Sequence, residues 1–183
     1  MAGKFIFYWL IVALAVLDAE NLWLPNWITL PGIALGMAYK LLNLWLIVRM
    51  HNADSFELEK YGPYGMAVKW LLGIAAAALL ILLIRWLYKL IRKREGMGLG
   101  DAKLMAMLAA WLGLPGALLA FGLGAVLGSV VALALLAVPA ARRGSESWGA
   151  TKLPFGTFLC VGGIVSALWG QPMINAYLHW VGF

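Results

Sequence analysis

Apolar residues run along this chain in long stretches, cut apart by short segments that are polar or contain glycine and proline. A helix of about 20 apolar residues is long enough for the roughly 30 Å hydrocarbon core of a bilayer. The pattern predicts six spans, at roughly 5–24, 28–48, 66–91, 101–114, 116–138 and 154–171. The breaks have local causes. In "LPN", Pro25 disfavours helix at the residue before it and ends the first span. "HNADSFELEKYGPYG" reads as a polar loop and "LPG" at 114–116 as a tight turn. "PAARRGSESWGATKLP" reads as a flexible polar loop, and Pro154 at its end suits the first turn of the last span. The tail "QPMINAYLHWVGF" puts Ile174, Tyr177, Leu178 and Val181 at helical spacing, as a helix lying in the membrane interface would.

The first span has a rival reading. Lys4, "FIFYWLIVALAV" and "ALA" at 13–15 have the order of a secretory signal peptide. A single basic residue and an apolar pattern that continues to Leu24 favour the span.

Composition agrees with the pattern. The chain has 183 residues, 64% of them apolar and 12% charged, whereas soluble domains are nearer half apolar and a quarter charged. The expected fold is therefore an all-α integral membrane protein, a bundle of about six transmembrane helices in which residues 1–183 form one domain. Its ten Trp and six Tyr gather near the ends of the runs, as interfacial anchors do. The net charge of +6 is assigned to basic loops on the cytoplasmic side, with the lipid bilayer as partner and no nucleic acid. Lys89, Arg92, Lys93 and Arg94 precede one polar break; Arg142, Arg143 and Lys152 lie in another, two crossings later. Both fall on one side, which the positive-inside rule makes cytoplasmic. The loop at 49–65, where Asp54, Glu57 and Glu59 offset Arg49 and Lys60, then lies outside.

Cys160 is the only cysteine, so neither a disulfide framework nor a cysteine-based metal site is available. His51 and His179 are far apart and read as loop or interface residues. No metal and no organic cofactor is expected. Gly32/Gly36 and Gly124/Gly128 have the small-xxx-small spacing that lets helices approach closely in lipid, and are expected to pack within the molecule.

Two aspartates change the picture. Asp18 lies late in the first span, about 9 Å below an end at Leu24. Asp101 opens the fourth, which covers only about 21 Å before "LPG" and is too short to cross fully. Two crossings separate them, so both face the cytoplasmic half. An acid at such depth is costly and is a candidate functional group. Two that face one another share a proton, because both cannot ionise cheaply. One can then draw a proton from water while the other donates to a carbonyl oxygen. Gly96, Gly98 and Gly100 would leave room for a substrate strand beside Asp101. Each acid also has a structural reading. Asp101 after glycine is an ordinary helix N-cap. Asp18 resists that reading, since a negative charge late in a helix opposes the macrodipole. Lys103 is a cation in a first turn and at i+2 points away from Asp101, so it either snorkels to headgroups or reaches another partner.

"LDAENLWLPNWITLPGIALG" (17–36) and "GMGLGDAKLMAMLAAWLG" (96–113) resemble the two aspartate motifs of type IV prepilin peptidases. "LPFGTFLCVGG" (153–163), with Pro154 and Gly156, is similar to that family's third signature. The resemblance covers nearly the whole chain in the right order. It implies a GxGD membrane aspartyl protease, with Asp18 and Asp101 as the catalytic pair. The implied substrates are prepilins and pseudopilins of type IV pili or type II secretion, cut between a basic leader and an apolar helix at the cytoplasmic face of the bacterial inner membrane. Glu20, Glu95 and Glu146 would be available to the leader's positive charges. Many bacterial members carry an amino-terminal domain with paired cysteines, linked to methylation. None precedes the first span here, so methyltransferase activity is not expected; the chain reads as a peptidase-only member or as a peptidase domain cut from a longer protein. Leu17 before Asp18 and the lack of a late Pro-Ala-Leu set it apart from presenilin-like and signal-peptide peptidases.

Two other classes compete. A small transporter would use the carboxylates as a proton relay, but would favour broken helices at mid-membrane and an internal repeat, and no repeat is evident. A non-catalytic subunit of pilus or secretion assembly would use them only as caps.

Overall fold

The computed structural model describes residues 2–49, 56–92, 98–137 and 154–182, and within them the chain is all helix, with no strand. Among the described residues there are five helices: α1 (Ala2–Asn21), α2 (Asn26–Arg49), α3 (Phe56–Arg92), α4 (Leu99–Ala137) and α5 (Phe155–Val181). Among the described residues, three segments are long and apolar enough to cross a membrane: Gly62–Ile91, Leu99–Leu135 and Phe155–Val181.

The difference from six expected spans lies in α4. Its backbone leaves helical geometry at Gly113 (φ 79°, ψ 169°), one residue before the expected "LPG" turn. The contacts with α5 show that the two limbs run in opposite directions. On the first limb, Leu108 lies against Gly163. Beyond the bend, the Gly116 carbonyl accepts the Ser166 hydroxyl at 2.8 Å, while Gly124 faces Leu159 and Gly128 faces Phe158. The second limb thus returns toward the beginning of α5, and α4 is a hairpin with its apex near Ser166.

The first limb is the centre of the molecule. Every residue from Leu104 to Trp111 is buried, the signature of a helix enclosed on all sides. It packs against α2, where Gly32 leaves space for Met107 and Gly36 for Trp111, and the Trp111 indole N–H donates to the Gly32 carbonyl at 2.9 Å. On α1, Phe7 lies against Trp111 and Ile11 against Gly163 of α5. The surrounding helices expose large apolar side chains such as Phe5, Trp9, Leu72, Leu79 and Leu133, as a lipid-facing surface requires. The small-residue pairs work as intramolecular contacts: Gly124 faces the α5 backbone at Leu159, and Gly32 and Gly36 face α4 side chains still more closely.

Several boundaries differ from the sequence pattern. Helix α1 stops at Asn21, because Leu22 takes a left-handed conformation (φ 53°) and its N–H closes onto the Asp18 carbonyl at 2.9 Å. Asp18 therefore lies about 4.5 Å from the helix end, half the expected distance. Pro25 begins α2 more than it ends α1: its carbonyl accepts the N–H groups of Ile28 and Thr29, each at 3.2 Å, and the Thr29 hydroxyl at 3.2 Å. Helix α3 starts at Phe56, inside the expected loop, and breaks at Gly62 (φ 64°) before Pro63. The tail expected to lie apart in the interface continues α5 through Pro172 to Val181, where Gly182 caps it in the left-handed conformation. Much of the charge used to infer sidedness, at Lys93, Arg94, Arg142, Arg143 and Lys152, lies outside the described residues, as do His51, Asp54, Glu95, Gly96 and Glu146.

Candidate active site

Asp18 and Asp101 are both buried, 5% and 8% exposed. They come from the last turn of α1 and the first turn of α4; Asp18 reaches Thr157 at the start of α5, and Gly100, beside Asp101, faces Leu24 just after α1. The buried Cys160 lies about one turn into α5, beyond Thr157. The three helix ends thus converge.

Each carboxylate is tied to the start of a helix. Asp101 is the third residue of α4, and its Oδ2 accepts the Gly98 N–H at 3.2 Å. It does not occupy the N-cap position considered from sequence; it reaches back to the residue that does, as the acid of a capping box would. Asp18 accepts two bonds on Oδ2, from the Thr157 N–H at 2.7 Å and the Thr157 hydroxyl at 3.2 Å. That hydroxyl also lies 3.2 Å from the Ala15 carbonyl. Thr157 belongs to the first turn of α5, whose N-cap residue Pro154 offers no side-chain cap of its own. Asp18 supplies the missing cap from another helix. The positive end of the α5 dipole then offsets a charge that the end of α1 disfavours. This is the physical reason that an acid sits where the sequence made it anomalous.

Glycine admits the carboxylate. A Cβ built on Gly156 would stand 2.7 Å from Asp18 Oδ2, closer than packed atoms tolerate. At Gly100 a Cβ would meet Leu24 at 3.0 Å, so that glycine serves the contact between α4 and the α1–α2 connection. Gly98 is exposed beside Asp101. Pro154 is half-buried just before α5. Glu20 is exposed at the end of α1. Lys103 neither meets Asp101 nor snorkels: its Nζ donates to Asn26 Oδ1 at 2.5 Å, linking the starts of α4 and α2. Among the described residues no three His, Cys, Asp or Glu side chains gather as a metal ion would require.

Sequence reasoning missed Thr157 and Asn26. A signal for Thr157 existed: the acid late in α1 needed a positive partner, and "PFGT" after a polar loop marks a new helix start with a donor in its first turn.

Fold and site together define a multi-pass helical membrane protein with two buried acids held at helix ends. Residues 5–133 match the model of the type IV leader peptidase family. The chain belongs to that family. It is similar to proteins named prepilin leader peptidase/N-methyltransferase from several bacteria. The one from Pseudomonas putida is 33% identical over 175 residues, covering 96% of this chain and 52% of that protein. The one from Pseudomonas aeruginosa is 30% identical over 175 residues, with the same coverage of 96% and 52%. The one from Dichelobacter nodosus is 34% identical over 168 residues, covering 90% and 48%. The chain spans about half the length of these curated relatives. No solved structure matches it.

Proposed function

We propose that this chain is an intramembrane aspartic endopeptidase that removes the basic leader from type IV prepilins and pseudopilins, with Asp18 and Asp101 as its catalytic pair. The observation that supports the reading is that two carboxylates from distant parts of the chain are both buried, one at the end of α1 and one at the start of α4, each accepting hydrogen bonds on one oxygen. Family membership supplies the reaction class, and the relatives' names supply the substrate class.

The chemistry follows from a pair that shares one proton. The ionised carboxylate takes a proton from a water held between the two, and the water oxygen attacks the scissile carbonyl carbon. The protonated partner gives its proton to the carbonyl oxygen, forming a neutral tetrahedral diol. Collapse of the diol breaks the C–N bond. The carboxyl that took the water's proton gives it to the leaving nitrogen, and a diol hydroxyl returns a proton to its partner, which restores the shared-proton pair. The products are the leader's new carboxyl end and the mature chain's new amine. No metal or cofactor takes part.

In this reading the two limbs of α4 and the other four helices make six membrane segments, with the acids toward the cytoplasm. A substrate whose basic leader stays in the cytoplasm and whose apolar helix remains in the lipid presents its junction at that depth. Exposed Glu20 stands where it would meet the leader's charge.

The test is cleavage of a prepilin peptide by protein in lipid nanodiscs. Asp18→Asn and Asp101→Asn should each abolish turnover while the thermal unfolding profile is kept; near-normal turnover by either would refute the dyad. Cysteines placed at Glu20 and Gly98 should both react with a membrane-impermeant reagent added from the cytoplasmic side of oriented vesicles, and reaction from opposite sides would refute the shared face.

A further inference from the structure

The structure assigns Thr157 a positioning role: it fixes the Asp18 carboxylate by Oδ2, so that Oδ1 is the oxygen left for the reacting water. This inference rests on the peptidase reading above. Its basis is geometric. Thr157 offers Asp18 two donors, the backbone N–H at 2.7 Å and the hydroxyl at 3.2 Å, and both go to the same oxygen. Among the described residues Oδ1 of Asp18 receives no donor, and Asp101 repeats the pattern, held by Oδ2 alone from Gly98. The hydroxyl's single hydrogen has two acceptors within reach, Asp18 Oδ2 and the Ala15 carbonyl one turn earlier on α1, each at 3.2 Å, and it is shared between them. Thr157 thus bridges the backbone of α1 and the side chain that α1 carries toward the site. Gly156 leaves the carboxylate the room to take this position: an added Cβ there would stand 2.7 Å from Oδ2 and 3.0 Å from Oδ1.

A carboxylate held by one oxygen can rotate only about that anchor. With the hydroxyl removed, the N–H bond remains but no longer has a second donor to fix the plane of the group. Misplacement of a reacting oxygen by a fraction of an ångström lowers the rate without changing how substrate is bound.

Thr157→Val keeps the shape and the N–H and deletes the hydroxyl; Thr157→Ser restores it. With a prepilin peptide in nanodiscs, Thr157→Val should lower kcat about tenfold with KM within twofold of the parent, and Thr157→Ser should recover at least half of kcat. Asp18→Asn is run in parallel. Parent-like kcat in Thr157→Val beside an inactive Asp18→Asn would overturn the positioning role and leave the peptidase reading standing. A second measurement needs no turnover. The infrared difference between the parent protein and Asp18→Asn isolates the Asp18 carboxylate band, and the same difference taken in the Thr157→Val background should show that band shifted. An unmoved band would overturn the anchoring whether or not the protein cleaves prepilins.

Discussion

The Asp18 carboxylate lies directly over the backbone of Gly156, so close that a Cβ there would stand 2.7 Å from Oδ2 and 2.8 Å from Cγ. The atoms that would have to give way are those of the carboxylate itself, the proposed catalytic acid. Gly156→Ala is expected to displace the carboxylate and reduce turnover about a hundredfold. Prepilin cleavage and thermal unfolding measured side by side check it. A variant that loses activity far out of proportion to stability fits the geometry; full activity contradicts it.

The bond from Lys103 to Asn26 joins a cation to a neutral amide. Asn26→Asp would turn it into an ion pair between the starts of α4 and α2. The pair is partly exposed to water, so the gain should be small, about 0.5 kcal/mol. It should appear as a modest rise in unfolding temperature at low salt that shrinks at high salt. A salt-independent change, or a drop, would show that the contact is not electrostatic.

Gly113 allows α4 to double back. Its φ of 79° with ψ of 169° belongs to a region open essentially to glycine alone. Gly113→Ala should cost about 1–3 kcal/mol, read as a lowered unfolding temperature in detergent. Ser166→Ala, which removes the bond to the Gly116 carbonyl at the same apex, should cost about 1 kcal/mol. If both variants unfold like the parent, the hairpin does not depend on its apex.

At Gly162 an added Cβ would run into the Ala120 carbonyl oxygen, which is backbone and cannot turn aside. Gly162→Ala should separate α5 from the second limb of α4 and lower stability by about 1–3 kcal/mol. The neighbouring Val161 is exposed, and Val161→Ala should leave stability nearly unchanged.

The helical class and the break near residue 114 were legible because long apolar runs and a Leu-Pro-Gly sequence act locally. That the fourth and fifth expected spans double back on each other followed from the tight turn between them; that the bend falls at Gly113 and rests on Ser166 and Leu159 of α5 was not legible, because it depends on packing. That Asp18 and Asp101 are candidate acids at helix ends was accessible through counting residues and crossings; both are buried. The anchors were harder. The sequence showed Asp18 in a position unfavourable for an acid, but the compensating helix start lies far along the chain, and only packing reveals it. Lys103 illustrates the same limit: its spacing excluded Asp101 as partner, yet nothing local named Asn26. The end of α1 was misjudged by a few residues because Leu22, an apolar residue with no turn preference, adopts the left-handed conformation that stops it.

Because α4 doubles back near Ser166, the limb that carries Asp101 is short and buried from Leu104 to Trp111. A helix that crosses a bilayer adjusts its height to lipid length by tilting or sliding, and carries its side chains with it. This limb is enclosed by its neighbours and cannot answer to the acyl chains in that way. Its carboxylate keeps a fixed elevation relative to Asp18, and the pair should stay in register across lipids of differing chain length.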